Sequence, residues 1–334
     1  MNRSGKVMTG LIDKVKSLKK DKFPFKFVYS ESYWMVNFKN HVFPVNKYRL
    51  VYEKLLKKGA VKKNFIEPYV PDDEDLLRVH SPKYLKKIKS GRLSSSELMA
   101  LELPFSREAI KFFFLTAGGT IRASEAALRE GMCVHIGGGF HHAFSDHGEG
   151  FCVLNDVAIA SEKMKAEKKI KKAMVVDCDV HQGNGTAAIL KGKDYAFTFS
   201  IHQMDIYPAE KATSSLDVGL WSGDGDEEYI ENLSHHIPRI YDQYKPELIY
   251  YLAGADPYRK DRLGDLNLTF KGLEKRDQIV IENAQKRECP VVILFAGGYA
   301  VDVNDVVSIH LNTIMTARKM FKRYSRKGIL GILK

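Results

Sequence analysis

The sequence predicts an α/β protein, a parallel sheet covered by helices on both faces, and three observations carry that reading. Short runs rich in β-branched residues alternate with helix-length stretches, the pattern of parallel strands joined by helical crossovers. The clearest strands, Met132 to Ile136, Ala173 to Asp177, Tyr195 to Ile201, Glu247 to Ala253 and Pro290 to Ala296, all end in glycine or polar residues. No linker, internal repeat or low-complexity tract interrupts them, so residues 23–334 read as one domain behind a distinct segment, 1–22.

Composition sets the outer limits. A chain of 334 residues, 44% of them hydrophobic, can bury a sizeable core. Its four cysteines, Cys133, Cys152, Cys178 and Cys289, form no CxxC pair, which argues against a disulfide scaffold or a thiolate zinc site. A reducing, cytoplasmic setting is therefore expected, and no apolar run is long enough to span a bilayer. The net charge of +11 would attract anionic partners. Yet lysines such as Lys57, Lys58, Lys168 and Lys169 sit beside apolar positions, as on solvated helix faces. No basic run is interleaved with aromatic residues, so direct nucleic-acid binding is not expected. In segment 1–22, Val7, Met8, Leu11, Ile12, Val15 and Leu18 recur at helical spacing with lysines between them. Such a helix could dock on the domain, fray, or lie weakly on a membrane surface, and the basic end from Lys319 to Lys334 leaves the same options open.

Taken in order, the strand ends assemble a chemistry. After the first come Gly137-Gly138-Gly139, which let the backbone turn sharply and approach closely, and then His141-His142, a pairing uncommon among core residues. The pair His235-His236 lies in a polar, helix-like stretch and reads as surface. The second strand ends in Asp177-Cys178-Asp179-Val180-His181. If the pleat persists there, Asp177, Asp179 and His181 point to one side, as a ligand set suited to zinc, iron(II) or manganese. The third ends in Ser200-Ile201-His202, and beyond the fourth lies Gly254-Ala255-Asp256, where a buried carboxylate needs a partner. A metal held by Asp179, His181 and Asp256 would supply that partner. It would also keep one coordination position open, as catalytic sites do, for a water whose pKa falls toward about 7. Tyr299, after Gly297-Gly298, could donate a hydrogen bond to charge on a substrate oxygen or simply cover the sheet edge. No GxGxxG or P-loop is present, which sets nucleotide folds aside.

Several segments together resemble the histone deacetylase family of zinc amidohydrolases. They are Gly137-Gly138-Gly139-Phe140-His141-His142-Ala143, Gly150-Phe151-Cys152, Asp177 to Gly185, Gly254-Ala255-Asp256, Asp261-Arg262-Leu263-Gly264 and Gly297-Gly298-Tyr299. Their order and spacing match from about Phe27 to about Arg318, and Gln182-Gly183-Asn184-Gly185 is most similar to the class IV branch and its bacterial relatives. The resemblance implies an arginase/deacetylase-type single domain with a central parallel sheet of eight strands. It implies one Zn2+ on Asp179, His181 and Asp256, with Fe2+ suiting the same ligands. His142 would be the general base and then the acid, His141 would be oriented by Asp177, and Tyr299 would polarise the acyl carbonyl. A potassium ion would lie near Asp177, Asp179, His181 and Ser200. Gly150, Phe151, Tyr207 and Leu263 would line an acyl-lysine tunnel, with Glu102 at its rim gripping the substrate backbone.

Two departures from the family pattern carry expectations. Asn184 stands where many relatives have aspartate, and an amide raises the pKa of His142 less than a carboxylate would, so His142 should be neutral, as a base must be. Phe295-Ala296-Gly297-Gly298-Tyr299 stands in place of the common triple glycine before the tyrosine, which bears on the mobility of the tyrosine loop. The expected activity is hydrolysis of N-ε-acylated lysine, acetyl or longer, in proteins or peptides by metal-activated water. An acylpolyamine or other small-molecule amidohydrolase, and a catalytically silent acyl-lysine reader, are the alternatives.

Overall fold

The computed structural model describes residues 23–332, of which 325–332 are described by backbone alone. Segment 1–22 lies outside the described residues, as do the side chains of Ile329, Leu330, Ile332 and Leu333. Eight strands form one sheet: β1 (Lys26–Val28), β2 (Phe65–Ile66), β3 (Met132–His135), β4 (Ala173–Asp177), β5 (Ala196–Gln203), β6 (Leu216–Leu220), β7 (Leu248–Leu252) and β8 (Val291–Leu294). The order across the sheet is β2-β1-β3-β8-β7-β4-β5-β6, and every neighbouring pair is parallel.

The five strands expected from the sequence are the five adjacent central ones, β3, β8, β7, β4 and β5, with boundaries within two residues of those predicted. Strands β3, β4, β7 and β8 are buried at every position. Burial on both faces removes alternation and leaves the continuous apolar runs that make such strands readable. The remaining three strands lie toward the edges. β1 and β2 have 3 and 2 residues, and β6 is only partly buried and contains Gly219.

The helices pack in two groups. Asn46–Lys57, Val303–Ile332, Phe270–Lys286 and Asp226–Tyr244 follow one another in contact, while Arg107–Glu130 pairs with Asp156–Ala166. Helix Arg107–Glu130 begins where Ser106 Oγ accepts from the Ala109 N–H (3.1 Å) and stops at left-handed Gly131, the cap types expected at each end. Among the described residues, no helix is long and apolar enough to cross a membrane.

The chain runs outward from β1 to β2 on one side of the sheet and from β4 to β6 on the other, with β8 and β7 inserted between β3 and β4. The carboxyl ends of those four strands therefore surround a break in strand order, where open α/β sheets form their clefts. Arg276, fully buried, braces the underside of this region. Its Nη1 donates to the carbonyls of Gly254 (2.5 Å) and Cys178 (3.3 Å), while Nε and Nη2 donate to Asp277 Oδ1. Replacing Arg276 with methionine leaves the Asp277 carboxylate buried beside no cation. The expected loss is about 3–5 kcal/mol of stability, read as a lower urea midpoint at unchanged m-value.

Candidate active site

Strand β4 ends at Asp177, and the pleat does not continue through His181. Asp177 Oδ1 instead accepts from the Asp179 N–H (3.1 Å), and Asp179 Oδ1 accepts from the His181 N–H (3.1 Å). Two successive side-chain-to-backbone turns, rather than strand alternation, gather the three side chains. From the loop after β7, Asp256 Oδ1 accepts from the Val180 N–H (3.0 Å), and from the loop after β8 the Gly297 N–H donates to Asp179 Oδ2 (2.8 Å). A Cβ at Gly297 would lie 1.8 Å from Asp256 Oδ2, so only glycine allows this approach.

Asp179, His181 and Asp256 are buried, and one potential ligand atom from each lies within 4.8 Å of the others. Their chemistry fits a divalent cation. Asp256 Oδ2 has no hydrogen-bond partner at bonding distance, and its neighbour His181 Nδ1 is 3.7 Å away. The Leu263 carbonyl lies 3.1 Å from His181 Nε2, and a proton there would leave the lone pair of Nδ1 free for a cation held with the carboxylates. Burial pulls the His181 pKa down, but the hydrogen bond with Asp179 and the charges of Asp179 and Asp256 push it up to about 10. The pocket thus attracts positive charge at the point where a metal would sit, with ligands of the type zinc takes. Ser200 lies opposite Asp177 in the β4–β5 register, with its hydroxyl 2.9 Å from His202 Nδ1.

The two histidines arrive on the β3 loop, where Gly138 has φ +71° and a Cβ would meet Asp156 Oδ2 at 2.7 Å. Asp156 fastens this turn by accepting from the N–H groups of Gly139 (3.0 Å) and Phe140 (2.8 Å). The His141 and His142 rings are 4.1 Å apart, yet their surroundings separate their charge states. Burial lowers the His141 pKa, but Asp177, 2.7 Å from Nδ1, and Asp179 together raise it to about 9. His142 faces the Asn184 amide oxygen (2.7 Å), and burial with the charges of His141 and His181 holds it well below the usual imidazole range. One imidazolium beside one neutral imidazole is the division of labour that proton transfer requires.

Tyr299 is held from both sides of its peptide. Its N–H donates to Asp261 Oδ2 (2.6 Å), and its carbonyl accepts from Arg262 Nε (3.0 Å). Burial, with the charges of Asp179 and Asp256, keeps the phenol protonated well past its ordinary range. Three residues earlier, Ala296 adopts a φ of +51°, a strained setting for a residue with a Cβ. Its carbonyl accepts from the buried Lys47 Nζ (2.8 Å), and its N–H donates to the Gly138 carbonyl (3.0 Å). Alanine here therefore sits in a tied-down turn.

Gly150, Phe151, Tyr207, Leu263 and Glu102 line one cavity of about 200 Å³ together with His142, His181 and Tyr299. Phe151 packs edge-on to Tyr299 (5.8 Å), and Tyr207 packs edge-on to His142 (4.9 Å). Glu102 is exposed at a left-handed helix end, and its carbonyl accepts from His41 Nε2 (2.6 Å). A second space of about 20 Å³, lined by Phe43, Phe140, Cys152 and Ala296, shares His142, Phe151 and Tyr299 with the first. His235 and His236 lie on helix Asp226–Tyr244, outside this group.

Two participants carry no sequence signal. Lys47 stands in a lysine- and tyrosine-rich helix and reads as surface, and Glu149, between two glycines, reads as a solvated loop residue. Yet Glu149 Oε1 accepts from Asn184 Nδ2 (2.6 Å) and from the Tyr207 hydroxyl (2.8 Å).

Comparison with known proteins meets this geometry. The histone deacetylase domain family matches residues 41–314. An uncharacterized protein of Picosynechococcus sp. is 36% identical over 89% of this chain and 99% of its own length. Histone deacetylase 2 of Arabidopsis thaliana is 32% identical over 81% of this chain and 74% of its own. The crystal structure of the HDA15 HD domain superposes with a TM-score of 0.75 over 89% of this chain and 90% of that one, at 20% identity, a likeness of fold. With that family's domain spanning most of its length on the parallel eight-stranded sheet, the chain belongs to the histone deacetylase family and is a hydrolase.

Proposed function

We propose that the chain hydrolyses the amide of N-ε-acylated lysine in peptides or proteins, with zinc held by Asp179, His181 and Asp256. One observation carries this reading: the cavity of about 200 Å³ with Phe151 and Tyr207 in its walls is also lined by His142, His181 and Tyr299. A lysine side chain is a slender apolar stem, and a mostly apolar slot with a few convergent polar groups suits it. Bound there, zinc would supply a Lewis acid for the acyl carbonyl and lower the pKa of water in the site.

The chain's own groups divide the remaining work. His142, neutral, takes a proton from the attacking water at Nε2 while Nδ1–H donates to Asn184 Oδ1, then passes it to the departing amine. His141, charged through Asp177, places a fixed positive group beside it. The Tyr299 hydroxyl donates to the acyl oxygen as negative charge builds there. Potassium would bind near Asp177, Asp179, His181 and Ser200. Membership of the class IV branch and a cytoplasmic setting, consistent with four free, buried cysteines, belong to the same proposal.

The inner space of about 20 Å³ has room for about one water. It suits an acetyl methyl, whereas a long acyl chain needs more room than this space has. The test is hydrolysis of lysine peptides acylated from acetyl to myristoyl, with metal content measured on the same sample and acetylspermidine as competitor. Chelator-sensitive turnover, fastest for acetyl, is expected. Metal-loaded protein that turns over acetylspermidine and no peptide would move the substrate to polyamines, and binding without turnover of either would make the chain a silent reader.

A further inference from the structure

Glu149 lies outside the residues so far given a role, yet two elements of the site rest on one of its oxygens. Asn184 Nδ2 and the Tyr207 hydroxyl both donate to Oε1, while Oε2 lies 3.6 Å from His147 Nε2. At its other end, Asn184 Oδ1 accepts from the Gly185 N–H (3.0 Å) and faces His142 Nδ1 (2.7 Å). An amide has one donor end and one acceptor end. With the donor end claimed by a carboxylate and the acceptor end by a backbone N–H, the amide has a single orientation. Only a proton on Nδ1 satisfies the contact with His142, and Nε2 is left with a lone pair.

We propose that Glu149 is a positioning residue, the outer member of a His142–Asn184–Glu149 chain that sets the tautomer and ring orientation of the base. Through the same oxygen it holds Tyr207 edge-on to His142, so the tunnel wall and the base share one support. The arrangement also accounts for the amide at position 184, because an aspartate there would set two carboxylates 2.6 Å apart. The consequence for catalysis rests on the deacylase reading, whereas the consequence for the tautomer does not.

The experiment uses the full-length, zinc-loaded protein. E149A removes the acceptor and is expected to lower kcat on an acetyl-lysine peptide about 10–100-fold, as loss of outer partners typically does. E149Q keeps a side-chain carbonyl for both bonds and should stay well above E149A. N184D should also lose activity, and N184D/E149Q should regain part of it, because the glutamine amide can donate to the new carboxylate. A merely structural role would not make the second substitution beneficial. Separately, 15N spectra of the histidine rings should show His142 as the Nδ1–H tautomer in the parent protein and as a mixture in E149A. If the parent cleaves no acyl-lysine but the tautomer responds, the assignment of Glu149 stands and the deacylase reading falls. An unchanged tautomer in E149A, or N184D/E149Q no better than N184D, would overturn the assignment.

Discussion

Tyr299→Phe is expected to lower kcat about 10²–10³-fold, the loss typical of a single preorganised donor to a developing oxyanion. Metal content and folding should be preserved. The substitution removes one oxygen from a ring whose packing against Phe43 and Phe151 is unchanged, and the backbone bonds to Asp261 and Arg262 do not involve the hydroxyl. A loss confined to kcat, with KM little changed, is the mark of an interaction made only in the transition state. A KM effect alone would recast the phenol as a binding group, and undiminished turnover would remove it from the mechanism. The bracing makes the result interpretable: Ala296, held by Lys47 and Gly138, fixes the turn before the tyrosine. A fall in kcat would then report the lost hydroxyl and not a relaxed loop.

What could be read from the sequence follows from where each interaction partner lies. The five central strands were legible because two covered faces demand uninterrupted apolar runs, and β1, β2 and β6 were not, being short or half-covered. Asp177, Asp179 and His181 stood out as a metal-ligand spacing at a strand end, and Asp256 because a buried carboxylate needs a partner. Their convergence was anticipated, but the means was not, since carboxylate-to-backbone turns take over where the pleat stops. Lys47 and Glu149 were illegible for a different reason. Lys47 bonds a carbonyl 249 positions away and Glu149 an amide 35 positions away, and nothing in the local pattern around either marks the contact. A lysine on a helix and a glutamate in a glycine loop are ordinary until the fold closes around them.

Asp256→Asn should separate stability from activity by opposite signs. In the folded chain Asp256 is buried beside Asp179, and burial and that neighbour's charge disfavour its ionised form more than the nearby His181 charge favours it. Its Oδ1 accepts from the Val180 N–H, a bond the asparagine oxygen can keep, while Oδ2 has no hydrogen-bond partner. Removing the charge therefore costs the metal-free protein little, and its Tm should equal or exceed that of the parent. On the proposed assignment, the second carboxylate would serve metal binding. The parent should gain about 2.7 kcal/mol at zinc a hundredfold above Kd, seen as a higher Tm on adding metal, and this shift should vanish in the variant. Turnover should fall about 10³-fold or more, because several kcal/mol of charge stabilisation go with the cation. A variant that still takes up one zinc per chain would show that Asp179 and His181 suffice as ligands. A variant that unfolds without metal would mean that Asp256 supports the β4 and β7 loops directly, and the balance between buried charge and function would then have to be sought at Asp179.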